Sequence, residues 1–312
     1  MKHFYDRYVN GNNVSLAAYW RFPWFPAQPP PCSNSRNREA NGPGAEIRFE
    51  AGAEFAIDDE LPTVVSILLH GSRASRETAP FSDVDIAVIL DDSRPFAPMT
   101  VKNDILALRR LGRAMYRVDP LLHHGLMFAN ASDFLSYDQT FLPLDTLAEA
   151  RCLSGARALE VRLSPQIPLA RCRQRLDRTL SSLGSYDFSL RRAQQDFTLK
   201  AFLAGLLLVP ALFLAANGIF THKRESFEWV YTGFPEVDWE AVKVAEALRR
   251  AWRAPALHPV HALALSMFSG KAQSLARFFY RENYRRHQDA LPHLQELVGR
   301  MKLSLESSAN AD

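Results

Sequence analysis

Between Val64 and Leu90 the chain reads VVSILLHGSRASRETAPFSDVDIAVIL, two oily runs joined by a polar connection, with acids at the head of the second. Val64 to Leu69 is too short for most helices and contains β-branched residues, which predicts a buried strand. Gly71-Ser72 ends that strand, and Ile86 to Leu90 predicts a second one. Asp83 and Asp85 are two apart, so on a strand they point to the same face. Two carboxylates sharing a face at the start of an apolar strand are costly unless a positive charge sits between them. A divalent metal ion is the simplest candidate for that charge.

The length, 312 residues with 47% hydrophobic and 23% charged, suits a soluble globular protein of roughly two domains. With 37 Lys and Arg against 34 Asp and Glu, the chain is mildly basic and carries no nucleic-acid-binding footprint by charge alone. Three scattered cysteines, Cys32, Cys152 and Cys172, show no metal-ligand spacing and read as reduced thiols. The opening residues MKHFYDRYVNGNN lack the apolar core of a signal peptide, so a cytoplasmic protein is expected.

Residues 1–44 contain RFPWFPAQPPP and CSNSRNREANGPG, a Pro- and Asn-rich extension without period, expected to be disordered. The sharper reading is that Trp20, Phe22, Trp24 and Phe25 dock on the domain or on a partner. Residues 45–61 signal only a short strand or a helix. Lys102 to Tyr116 carries Ile105, Leu108, Leu111 and Met115 at helical spacing. Val118 to Ala129 returns to strand character, and FLPLDTLAEARCLSG predicts a turn running into a helix that ends at Gly155. After Pro165 the pattern is helical almost throughout. The expected fold class is therefore α+β, a small mixed-sheet domain at 45–165 followed by an all-α helical bundle at 166–312.

Ala201 to Phe220, AFLAGLLLVPALFLAANGIF, is uncharged over twenty residues, with Lys200 at one end and His222-Lys223-Arg224 at the other, and is long enough to span a membrane. It also holds Gly205, Pro210, Asn217 and Gly218 and stands alone, which favours the buried centre of a bundle. Pro210 is expected to kink or split it.

Gly71-Ser72, a ten-residue spacer and then Asp83-Val84-Asp85 resemble the signature of the nucleotidyltransferase superfamily, which includes DNA polymerase β and kanamycin nucleotidyltransferase. The resemblance covers Val64 to Ala129, and the helical half looks like the bundle that bacterial two-domain members append. It implies a nucleotidyltransferase that moves an NMP, AMP foremost, from an NTP to an acceptor hydroxyl with release of pyrophosphate. Two Mg²⁺ ions would neutralise the triphosphate, and Asp83 and Asp85 would hold both. Gly71 would let the backbone approach the phosphates, Ser72 would hydrogen-bond them, and Arg73 and Arg76 could add charge.

The family has a third acid on a neighbouring strand, and the candidate is Asp119, which could equally serve only to end a turn. His123, on the same strand face as Asp119, is favoured over His124 as an added ligand or base. In related two-domain enzymes the bundle offers basic residues to the phosphates; Lys223 is the choice here, with Arg249 and Arg250 weaker because late-helix arginines suit the helix dipole anyway. The acceptor, a small molecule or a protein, and the oligomeric state stay open. Nucleic acid and membrane are not expected partners. The competing reading is a non-catalytic or antitoxin-like binding module that keeps the fold.

Overall fold

The computed structural model describes residues 45–52, 61–75, 79–166, 168–186, 188, 195–266 and 277–309. The 1–44 extension with its aromatic residues, Cys32 and Arg76 lie outside the described residues. The chain forms two compact units that interleave in sequence. One comprises Met1–Glu77, Val84–Met115 and His124–Pro168; the other comprises Thr78–Asp83, Tyr116–His123 and Leu169–Asp312.

The first unit is built on a five-stranded mixed sheet. Its central strands are β3 (Val64–His70) and β4 (Asp85–Leu90), paired antiparallel with His70 opposite Asp85. Both are oily on both faces, as strands covered on two sides must be. The helix α1 (Pro98–Val118) carries the chain over to β5 (Met127–Asn130), which pairs parallel with β4. On the other flank β6 (Arg151–Gly155) pairs antiparallel with β3 and parallel with the short β2 (Glu50–Ala51). The spatial order is β2-β6-β3-β4-β5. A separate two-stranded ribbon joins β1 (Ala45–Arg48) to β7 (Ala158–Val161). Leu68, Ala87, Ile89, Phe134, Tyr137, Leu147 and Leu159 form the core on one sheet face. The buried stripe of α1, Val101, Leu108, Leu111 and Met115, is interrupted by a buried acid, Asp104. Its Oδ2 accepts from the Thr63 backbone N–H at 2.8 Å and from the Thr63 hydroxyl at 2.6 Å, which fixes the helix to the start of β3.

Two sequence expectations need correction. The strand predicted from Val118 starts only at Met127, because Asp119 turns the chain. Its Oδ1 accepts from Leu121 N–H and its carbonyl from Leu122 N–H, and both leucines are fully buried. Asp119 and His123 therefore do not share a strand face. The helix expected to end at Gly155 is a single turn, α2 (Leu144–Ala148), followed by β6. The sheet overrides local propensity there. Gly155, at φ 85°, passes so close that an added Cβ would lie 2.4 Å from the Val65 carbonyl oxygen.

The second unit is helical: α3 (Leu169–Gly184), α4 (Gln195–Leu206), α5 (Val209–Ala216), α6 (Lys223–Gly233), α7 (Glu240–Arg250), α8 (Pro259–Ser266), α9 (Glu282–His287) and α10 (Leu291–Ala309). The membrane-like stretch begins earlier than the sequence suggests and breaks at Leu207-Leu208, with Pro210 in the first turn of α5, where its missing donor costs nothing. By length and composition Gln195–Ala216 could cross a membrane, yet 67% of its apolar window is buried within the protein. Two short segments from the first half of the chain belong to this core. Phe81 packs edge-on against Trp252 at 5.2 Å, and Leu121 is buried in the same cluster.

A buried histidine gives this core a pH dependence. The Tyr280 hydroxyl accepts from His258 N–H at 3.0 Å and lies 3.1 Å from His261 Nδ1. Burial first, then the Arg277 and His258 charges, lower the His261 pKa from 6.5 to about 4. A base with a depressed folded pKa contributes stability above its unfolded pKa and loses it as pH falls toward the folded one. Urea denaturation is expected to show roughly 2–3 kcal/mol lost between pH 7 and pH 4.5 from this group, with the slope reduced accordingly in His261→Phe. Equal slopes would refute the assignment.

Candidate active site

β3 delivers the chain into a 3₁₀ turn, Gly71–Arg73, whose first carbonyl accepts from the N–H groups of Ala74 and Ser75. Gly71 stands at φ 68°, and a Cβ there would lie 2.8 Å from Oδ2 of Asp85. Glycine is therefore doubly required: for the left-handed backbone, and to let the Asp85 carboxylate come against the turn. Gly71→Ala is expected to cost about 1–2 kcal/mol in urea denaturation, because Asp85 must rotate away and the backbone remains strained. Ser72 and Arg73 stay half-buried within the turn.

Asp85 opens β4 and faces an imidazole, with His124 Nε2 at 3.0 Å from its Oδ1. Directly across the ladder is His70, buried, its pKa lowered by burial, with the charge of Asp85 opposing and that of His124 adding to the shift. The Asp85 end of this first unit is thus a carboxylate beside two imidazoles, the more exposed of which touches it.

The second unit holds the other acids. Lys200, in the middle of α4, places Nζ 2.8 Å from Asp83 Oδ1 and 2.7 Å from Asp119 Oδ2. Its side chain is 2% exposed, between Leu199 and Phe202. Burial works against the ammonium, but Asp83 and Asp119, by charge and hydrogen bonds, hold its pKa above the ordinary lysine value. One ammonium cannot neutralise two carboxylates. Burial accordingly pushes the Asp119 carboxyl above the usual carboxylate range, Lys200 pulls it back, and the charge of Asp83 raises it again. The ring of Phe81 flanks Nζ at 5.7 Å. His123 Nδ1 lies 3.5 Å from Asp83 Oδ1.

Each member of the Asp83/Asp85 pair therefore has one imidazole nitrogen within 4 Å of a carboxylate oxygen, at 3.5 Å for Asp83 and 3.0 Å for Asp85. Two ligands at right angles on an ion with bonds near 2.1 Å would be about 3 Å apart, which the Asp85–His124 spacing fits and the Asp83–His123 spacing exceeds. Oxygen with one nitrogen is a donor set that Mg²⁺ tolerates and Mn²⁺ accepts readily. The chemistry open to such a group is charge neutralisation of an anionic substrate and general acid–base transfer through an imidazole.

Asp119 is beside Asp83, joined to it through Lys200 rather than by strand register. Lys223 is the first residue of α6, half-buried, with its carbonyl accepting from the Ser226 hydroxyl at 2.6 Å. Arg249 and Arg250 close α7, where they complement its dipole. The cation that meets the aspartates is Lys200, which sequence reasoning treated only as the edge of an apolar run. The signal was present: a lysine inside a helix buried on nearly every side needs counter-charges, by the logic that singled out the two aspartates.

Residues 56–121 match the family model described as polymerase beta, nucleotidyltransferase. The matched region includes β3, the Gly71–Arg73 turn, β4, α1 and the Asp119 turn, and it supports placing this part of the chain in the nucleotidyltransferase superfamily. No curated protein and no solved structure matches the chain significantly.

Proposed function

We propose that the protein is a divalent-metal-dependent nucleotidyltransferase that moves an NMP, foremost AMP, from an NTP to a hydroxyl of a small molecule or protein. The observation that carries this reading is the Gly71 turn set against Asp85, with Asp83 two residues before it, inside the matched region. Residues 45–165 would bind the nucleotide and 166–312 would form the helical domain that serves it.

Asp83 and Asp85 would hold Mg²⁺, with Asp119 as the third carboxylate; the resemblance implies two ions. A divalent ion, when bound, supplies the positive charge that an α-phosphorus ringed by oxygens needs, and it acidifies the attacking hydroxyl. The chain's own residues do the rest. The bare backbone at Gly71 admits the phosphates, the Ser72 hydroxyl donates to them, and Arg73 and Lys223 offset their charge. His123, next to Asp83, takes the acceptor hydroxyl proton as the new O–P bond forms. The α–β phosphoanhydride then breaks and pyrophosphate leaves with the electron pair. The buried face of the oily β4 excludes water from one side of the aspartates.

We place the reaction in the cytoplasm, with neither nucleic acid nor membrane as partner. A second reading, a binding module that keeps the fold without catalysis, draws its support from Lys200, which already occupies both Asp83 and Asp119. Incubation with Mg²⁺, each labelled NTP and pooled acceptors separates the two. The enzyme reading expects pyrophosphate release that chelator abolishes. Nucleotide binding without release, across every acceptor pool, would establish the module instead.

A further inference from the structure

We propose that Lys200 is a resident cation standing where one of two metal ions would otherwise bridge Asp83 and Asp119, so that the chain takes up a single divalent ion and none between these two acids. This deepens the nucleotidyltransferase reading and rests on its assignment of the carboxylates as metal ligands.

Three observations carry it. The ammonium is nearly equidistant from Asp83 Oδ1 and Asp119 Oδ2, at 2.8 and 2.7 Å, which is the arrangement of a bridging ion. Both carboxylates meet at the same ammonium, so the space between them is already filled. Second, Lys200 has nowhere else to go. Its neighbours on α4, Leu199, Phe202 and Leu203, are fully buried, and its own side chain is 2% exposed. Swinging aside would leave an ammonium in hydrocarbon without a counter-charge. A lysine that reaches out to phosphates sits at an element end or on a loop; this one is fixed at mid-helix. Third, the acids are unequal in access: the Asp85 side chain is 26% exposed, against 13% for Asp83 and 6% for Asp119. The open carboxylate is the one without the ammonium. A second divalent ion between Asp83 and Asp119 would stand within contact distance of a like charge in a dry site, where such repulsion is least screened.

The probe is Mn²⁺ with an α,β-methylene NTP analogue that cannot react, read by electron paramagnetic resonance titration and by thermal melting. The full chain is expected to bind about one Mn²⁺. Lys200→Met, close in length and apolar, removes the ammonium and leaves two adjacent acids. It is expected to melt lower without metal, to bind about two Mn²⁺ per chain, and to regain more melting temperature from Mn²⁺ than the wild type does. If Lys200→Met does not fold without metal, its recovery on refolding with Mn²⁺ is the same result in stronger form. The double variant Lys200→Met/Asp119→Leu, with ammonium and one acid both gone, is expected to fold without metal and bind about one ion.

Two Mn²⁺ bound by the wild type, or no second ion and no Mn²⁺ rescue in Lys200→Met, overturns the inference. No Mn²⁺ bound by any of the three overturns the metal reading of the carboxylates along with it. The one-to-two change in stoichiometry without pyrophosphate release from the wild type upholds the resident cation and removes only the catalysis.

Discussion

Asp85→Asn is expected to lower pyrophosphate release by about 10³-fold or more while leaving the melting temperature close to wild type. The substitution keeps the shape of the side chain, its place against the Gly71 turn and a partner for His124 Nε2. What it removes is the negative charge that would hold the ion opposite the triphosphate, and losing one such electrostatic element typically costs 10²–10³ or more in rate. Asp83→Asn separates position from charge differently. It weakens one of the two contacts to the buried Lys200 ammonium but leaves Asp119 as its counter-charge, so it is expected to cost about 1–2 kcal/mol of stability as well as activity. Pyrophosphate release and urea denaturation, measured on both variants, give the contrast: activity loss alone at Asp85, activity and stability loss at Asp83. Stability loss at Asp85 with activity retained would mean that this carboxylate is structural.

Asp196→Ala carries the second largest expected effect, and it lies in the helical unit. Asp196 is buried in the first turn of α4. Its Oδ2 accepts from the Asn283 backbone N–H and side-chain amide, both at 3.2 Å, and its Oδ1 from Tyr284 N–H at 2.7 Å. Those backbone donors are in the first turn of α9, where an isolated helix has no partners for them. Asn283 completes the node: its amide donates to the Arg253 carbonyl, and its Oδ1 accepts from Arg253 N–H, both at 2.9 Å. Removing Asp196 leaves two buried N–H groups without an acceptor and loosens three segments together. A loss of roughly 3–5 kcal/mol is expected in urea denaturation. Asp196→Asn, which can still accept at one oxygen, should lose less than half as much. A loss below about 1 kcal/mol in the alanine variant would show that water replaces the carboxylate.

β3 and β4 were legible in the sequence because each is an unbroken oily run of strand length, bounded by Gly71-Ser72 and by Ser82-Asp83. α1 was legible from its spacing. β6 was not, because residues 151–155 resemble the end of a helix locally, and only pairing with β3 makes them a strand. The ribbon of β1 and β7 joins residues more than a hundred apart in sequence, beyond any windowed pattern. At the site, the spacing of Gly71, Asp83 and Asp85 carried the superfamily resemblance, and the family model matches that stretch. Asp119 could be nominated but not placed, since its Asp-Pro turn reads equally well as the start of a strand. Lys200 was hidden for the opposite reason. The run around it is so apolar that the whole segment was weighed as a span or a core helix, and its single charge was treated as a boundary.

Phe81, Asp83, Asp119 and Leu121 lie early in the chain, yet their partners are on helices made much later; Lys200 follows Asp119 by 81 residues. A chain still growing on the ribosome must therefore carry these oily and acidic groups unsatisfied until α4 and the Trp252 segment emerge. The segments at 78–83 and 116–123 cannot complete their packing ahead of the helices, and a fragment ending near residue 168 would present Phe81 and Leu121 to solvent as a sticky patch. Vectorial synthesis thus makes α4 the timing element for these two early segments, whose buried acids wait for Lys200.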